Sequence, residues 1–114
     1  MKCKDVIDKY NLHDSLLERV EYDKALAKVC LTIDFCYWQQ TEYSDQKPET
    51  GIIQLCFSGV DVFQHTSYCI NSDEIVEAVS NDTDEFEIKV YNDTTDSYYV
   101  FYIHATEVNI INME

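Results

Sequence analysis

Glycine and proline are nearly missing from this sequence, with two glycines, Gly51 and Gly59, and one proline in 114 residues. Without a glycine-rich turn there is no backbone cradle for a phosphate, so neither a P-loop nor a dinucleotide-binding fingerprint can be built. The same scarcity excludes collagen-like, linker-like and disordered chains. Arg19 is the only arginine, which leaves almost nothing for bidentate recognition of phosphate or carboxylate. After residue 30 the only basic residues are Lys47 and Lys89. No basic patch frames a stacking surface, so nucleic acid is not an expected partner. No apolar run approaches the roughly 20 residues that cross a bilayer. The start, Met1-Lys2-Cys3-Lys4-Asp5, runs into acids rather than the apolar stretch of a secretory leader. A membrane partner is therefore not expected either.

Acid fills the space that base leaves. The formal net charge is -14, and it is unevenly spread. Residues 1–30 carry six basic and six acidic side chains, whereas residues 61–114 carry one and twelve. Such a field repels polyanions and favours a basic partner or a cation. Five cysteines make an odd count, so they cannot all pair within one chain; thiols packed in a reducing cytoplasm are the expectation.

A chain of 114 residues is the size of one domain, residues 1–114, with one core. Its apolar content of 46% supplies that core, and its many Val, Ile and Thr favour strands. Residues 4–10 read as a short helix with Val6, Ile7 and Tyr10 on its apolar side. Ala27, Val29, Leu31, Ile33, Phe35 and Tyr37 share one parity, predicting a long strand paired in a hairpin of 15–22 with 25–38. Residues 39–49 are a loop and 52–58 a strand, which Gly59 ends or bulges. Val60–Phe63 is expected as a turn or helical piece, and Asn71–Glu74 as a capped turn leading into Ile75, Val76 and Val79. Phe86, Ile88 and Val90 alternate with acids, Asn92–Asp96 is a turn cluster, and residues 97–103 return as the second arm of a hairpin. Residues 107–112 form a last strand. The expected fold is α+β, with five or six mostly antiparallel strands in a curled sheet or partly open barrel and one or two short helices.

Candidates for chemistry are few. His13-Asp14-Ser15 contains the residue types of a hydrolytic triad, but side chains at adjacent positions diverge, and a triad must converge. A local structural role is expected, with Asp14 and Ser15 accepting backbone N–H groups and His13 packing its ring. His65 and Cys69 have a spacing that suits zinc, but no second ligand pair accompanies them. No metal site and no cofactor are expected. The acids Asp82, Asp84, Glu85 and Glu87, with Trp38 and Tyr43 as aromatic anchors, are the candidate partner-binding residues. Tyr98, Tyr99 and Tyr102 crowd one strand, and tyrosine suits interfaces because it buries area while its hydroxyl finds a partner.

The Asn11-Leu12-His13-Asp14-Ser15 segment, followed by Val20-Glu21-Tyr22-Asp23 and the alternating strand of 27–37, resembles a class of small bacterial proteins. These open with a Leu-His-Asp-Ser type motif before a β-hairpin, and some of them resemble immunity proteins of polymorphic toxin systems. The resemblance implies a cytoplasmic α+β or barrel-like domain. The expected function is non-enzymatic protein binding, as an immunity-type inhibitor that presents an acidic face to a basic partner. A self-associating structural or accessory domain is the alternative, and a small enzyme using His13, Asp14 or His65 is a second one.

Overall fold

A computed structural model describes residues 1–36, 50–67 and 72–112. Among these the chain forms one helix, α1 (Cys3–Lys9), and eight strands: β1 (Leu16–Asp23), β2 (Lys28–Cys36), β3 (Thr50–Ser58), β4 (Val62–His65), β5 (Asp73–Val79), β6 (Glu85–Asn92), β7 (Ser97–His104) and β8 (Glu107–Asn112). They make one sheet in the order β4-β7-β6-β5-β1-β2-β3-β8, antiparallel at every junction. Because β4 and β8 stand at opposite ends of that order, the sheet is open rather than closed. The α+β class, the antiparallel pairing and both hairpins agree with the sequence pattern.

Two segments differ from that pattern. Val62–His65 is an edge strand, where a turn or helical piece is expected, and Asp73–Val79 is a strand rather than a capped turn. Ser72, just before this strand, donates its hydroxyl to Glu18 Oε2 at 2.6 Å. These two additions raise the strand count to eight.

The turns follow from residue chemistry. Between β1 and β2, Asp23 Oδ1 accepts the N–H of Leu26 at 3.1 Å, and Ala27 turns the chain with φ 50°. Between β6 and β7, Asn92 Oδ1 accepts the N–H of Thr95 at 3.0 Å, and Asp96 takes φ 51°. Such short polar side chains hold tight turns by substituting for a backbone acceptor. Gly59, at φ 64°, ends β3, and a Cβ there would lie 2.6 Å from Thr106 Oγ1. Only glycine fits that close approach in the left-handed region.

The sheet bends at its centre. β1 and β5 share only two residue pairs, Leu16↔Glu74 and Leu17↔Asp73. On one side of this joint lie β1, β2, β3 and β8, and on the other β5, β6, β7 and β4. The inner faces of both halves meet in one core. Leu17, Leu31, Ile33, Leu55 and Phe57 come from the first half, and Ile75, Phe86, Ile88, Phe101 and Ile103 from the second. The Phe57 and Phe86 rings lie 5.0 Å apart across it. Each such side chain contributes about 1.5–3 kcal/mol on leaving water. Tyr22 of β1 meets Phe63 of β4 at 4.9 Å, which shows how far the sheet curls.

Helix α1 closes one end of the core by burying Cys3 and Val6. Seven residues are too few to hold as an isolated helix, so its ends are anchored. Asp5 Oδ2 accepts the N–H of Lys2 at 2.8 Å, Lys4 donates its N–H to Thr83 O, and Tyr10 packs edge-on against Phe35. Burial lifts the Cys3 thiol to about 11. No helix among the described residues is long and apolar enough to cross a membrane.

Candidate interaction face

Strand β6 alternates without a break. Phe86, Ile88, Val90 and Asn92 are buried, while Glu85, Glu87, Lys89 and Tyr91 lie on the outer side. In β7, Tyr99, Phe101 and Ile103 are buried, and Tyr98, Val100, Tyr102 and His104 lie outside. The register sets Tyr91 beside Tyr98, Lys89 beside Val100, Glu87 beside Tyr102 and Glu85 beside His104. On the other flank β5 adds Glu74 beside Tyr91, Glu77 beside Lys89 and Val79 beside Glu87. One outer surface therefore interleaves glutamates with tyrosines and valines across three strands, with Lys89 as the cation of its central strand.

Local contacts order this surface. The Tyr91 and Tyr98 rings lie 5.2 Å apart, and Lys89 Nζ sits 4.6 Å from the Tyr98 ring centre. Tyr91 donates its hydroxyl to Asp96 Oδ1 at 2.7 Å, and that bond raises the phenol above its ordinary range. Burial and the neighbouring Glu85 carboxylate raise Tyr102 likewise. Tyr98 stays 54% exposed, so its ring is open to a partner. At the far corner His104 Nδ1 meets Asp61 Oδ1 at 2.5 Å. This bond raises the His104 imidazole and lowers the Asp61 carboxyl, with the Asp84 and Asp82 charges adding to the rise at His104.

The other half carries a different outer surface. Arg19, Glu21, Lys28, Cys30, Thr32 and Asp34 lie there with Gln54 and Cys56, so basic, acidic and neutral groups are mixed. The acid concentrated after residue 60 thus lies largely on the strands of the second half and their turns.

The structure separates the expected binding residues. Glu85 and Glu87 belong to the outer rows of β6, and Asn81 Nδ2 reaches Glu85 Oε1 at 3.4 Å. Asp82 lies in the turn before β6, where its Oδ1 accepts the N–H of Thr83 at 2.6 Å. Asp84 instead joins the N-terminal segment. Its enclosed Oδ1 makes no hydrogen bond among the described residues and lies 3.8 Å from Lys2 Nζ. Trp38 and Tyr43 fall outside the described residues. Glu74, Glu77, Tyr91, His104 and Asp61 join the face without having been singled out beforehand; parity within β6 and β7 is the signal that points to Tyr91 and His104.

His13, Asp14 and Ser15 form part of the joint between the halves. Asp14 donates its N–H to Ile75 O at 3.0 Å, and Ser15 O accepts the N–H of Ile75 at 2.8 Å. This extends the short β1–β5 pairing by one turn of chain. Asn11 Oδ1 accepts the His13 N–H at 3.0 Å, and Asp14 takes φ 67°. The His13 ring is not packed as expected: its side chain is 55% exposed. It lines a groove of about 450 Å³ between the end of α1 and β5, with Tyr10, Leu12, Val76 and Glu77. The Asp14 carboxyl, hydrogen-bonded to Glu74, raises the Glu74 carboxyl above its ordinary range. His65 has a separate neighbourhood on β4, against Phe63 and Phe101. Among the described residues no group of three or more His, Cys, Asp or Glu side chains is placed to hold a metal ion; Cys69 lies outside them.

No family model matches this chain, and neither does any curated protein or solved structure in the comparisons. The functional reading therefore rests on the geometry of the outer face.

Proposed function

We propose that this chain is a non-enzymatic protein-binding domain that receives a basic partner on the outer face of β5, β6 and β7. The observation that carries this reading is the register, which sets Glu74 beside Tyr91, Tyr91 beside Tyr98 and Glu87 beside Tyr102, with Glu77 and Glu85 in the same outer rows and Lys89 as their cation. Carboxylates of one sign steer an oppositely charged protein and raise its association rate. Tyrosines supply contact area at low entropic cost and hydrogen-bond at their tips. An immunity-type inhibitor of a basic toxin is the form of binding implied by the resemblance at Asn11–Ser15. The odd cysteine count and the enclosed Cys3 thiol fit a reducing cytoplasm as its location.

The test compares two charge-reversal variants of the whole chain. Glu85→Lys/Glu87→Lys alters the proposed face, and Glu21→Lys/Asp34→Lys alters the opposite one. A basic protein captured by the wild type should be lost by the first variant and kept by the second. Its association rate should also fall steeply as salt is added. Equal capture by both variants, or a rate indifferent to salt, would overturn the reading. Sedimentation without partner distinguishes the alternative, since a self-associating domain grows heavier with concentration whereas a partner-binding monomer does not.

A further inference from the structure

Strands β2 and β3 bring two thiols into contact on the outer face of the first half. Cys30 and Cys56 are directly opposite in register, and their sulfurs lie 2.8 Å apart. The kind of site they occupy follows from the edge of the sheet. Val108 donates its N–H to Met1 O and accepts from the Met1 amine, so its backbone polar groups point away from β3. Phe57↔Val108 is therefore a non-hydrogen-bonded pair, and so is Leu55↔Ile110, two residues along. The polar groups of Phe57 and Leu55 must then point to β2. This makes Val29↔Phe57 and Leu31↔Leu55 hydrogen-bonded pairs and Cys30↔Cys56, between them, a non-hydrogen-bonded one. At such sites the Cα atoms approach to about 4.5 Å, within the span that a disulfide bridges.

The surroundings hold both thiols in place. The Cys56 thiol donates to Gln54 Oε1 at 3.4 Å, and Gln54 Nε2 reaches Thr32 Oγ1 at 3.5 Å. Glu21 of β1 stands opposite Cys30 on its other side, with Lys28 two residues back along β2. Cys56 is 5% exposed, whereas Cys30 is partly open to solvent.

We propose that Cys30 and Cys56 are an oxidation site that a small-molecule disulfide converts into a cross-strand disulfide. The more open Cys30, as thiolate, attacks the reagent; one sulfur–sulfur bond forms, the reagent's own breaks, and one thiol leaves. The Cys56 thiolate then attacks the Cys30 sulfur and expels the second thiol. Two protein thiols are oxidised and one reagent disulfide is reduced, with both protons passing to the released thiols. Burial and the Cys56 neighbour push the Cys30 thiol up to about 12, so the first step is slow at neutral pH and quickens as pH rises. The bond would staple two strands already paired and lock the first half of the sheet.

The test treats the intact folded chain with oxidised glutathione at neutral and alkaline pH, traps free thiols by alkylation, and maps a non-reduced digest by mass spectrometry. The expected product has lost two hydrogens and yields one cross-linked peptide pair containing Cys30 and Cys56, which dithiothreitol separates. It forms faster at alkaline pH, and the oxidised chain melts higher by roughly 10 °C or more, because the bridge constrains the unfolded ensemble. Cys56→Ser should stop at a glutathione adduct on Cys30. A wild-type product with that adduct alone, with both thiols still alkylated, or with a bridge to another cysteine would overturn the proposal, and none of these readouts depends on the variant folding.

Discussion

Asn92 holds both carboxylate oxygens of Asp73 through one amide nitrogen, 3.1 and 3.2 Å away, where each residue is only 4% exposed. The pair sits beside the β1–β5 joint, because Asp73 is also the residue opposite Leu17. Asn92 performs a second task with its oxygen, which caps the β6–β7 turn at Thr95. Asn92→Ala removes both bonds and leaves an enclosed carboxylate short of donors. The expected loss is about 2–3 kcal/mol, since hydrogen bonds to charged groups and orphaned buried groups lie at the upper end of the usual range. Urea unfolding of this variant beside Tyr98→Ala, an exposed site, measures it; an Asn92→Ala loss no larger than that of Tyr98→Ala would contradict the account.

The contact of His104 with Asp61 gives stability a pH signature. His104 is raised above its ordinary 6.5, so its contribution is fully present below that value and is lost as pH rises through the raised one. Asp61 is lowered below its ordinary 3.8, so its contribution is present above that value and is lost as pH falls through the lowered one. The pair therefore acts in the window between those losses. The stability difference between wild type and His104→Gln should be greatest in mildly acid solution and should shrink in alkaline solution. Denaturant titrations across pH, with NMR titration of the His104 ring, would read both trends.

Gly59→Ala brings together two penalties that can be separated. The left-handed backbone costs a β-carbon about 1 kcal/mol, and the 2.6 Å approach to Thr106 Oγ1 adds a clash. The single variant should lose about 2 kcal/mol or more. In a Thr106→Gly background the same substitution should cost clearly less, because the Oγ1 at 2.6 Å and the Cβ at 2.9 Å are both removed and only the left-handed backbone remains. Equal costs in the two backgrounds would mean that the threonine side chain yields freely.

Tyr98→Ala separates binding from folding. Its ring is 54% exposed and touches Tyr91 and Lys89 at the surface. Its removal should change stability by no more than about 1 kcal/mol yet weaken capture of the proposed basic partner. Thermal melts and binding isotherms on the same preparation separate the two effects.

Much of the fold was legible because strand parity is a local signal. Phe86, Ile88 and Val90 alternate with acids, and the run from Val29 to Phe35 alternates with polar residues, so β6 and β2 are read directly. Two strands were hidden for physical reasons. β5 carries a bulge between Ile75 and Glu77, which breaks its parity and makes Ile75, Val76 and Val79 look helical in spacing. β4 is four residues at an edge, where none is fully buried and alternation has nothing to enforce it. The candidate face was lost in the same places. Glu85 and Glu87 follow from β6 alone, but Glu74 and Glu77 become their neighbours only once β5 is a strand, and Asp61 reaches His104 only through β4. The Asp84 contact with Lys2 joins residues at opposite ends of the chain, beyond any local pattern.

The narrow joint at Leu16 and Leu17 has a consequence for how the molecule assembles. Strands β4 to β7 occupy one uninterrupted stretch of sequence, whereas β8 must return past all of them to pair with β3. Within the second half β5, β6 and β7 pair as near neighbours and β4 reaches β7 across about forty residues, whereas the first half is completed only by a contact across some fifty residues, Cys56 with Asn109 among them. Loop closure over such a distance is slow compared with hairpin formation. During synthesis the glutamate–tyrosine face would form early and the docking of β8 last, so a chain cut short before Glu107 would display that face on an unfinished sheet whose β3 edge is left open to pair with other chains.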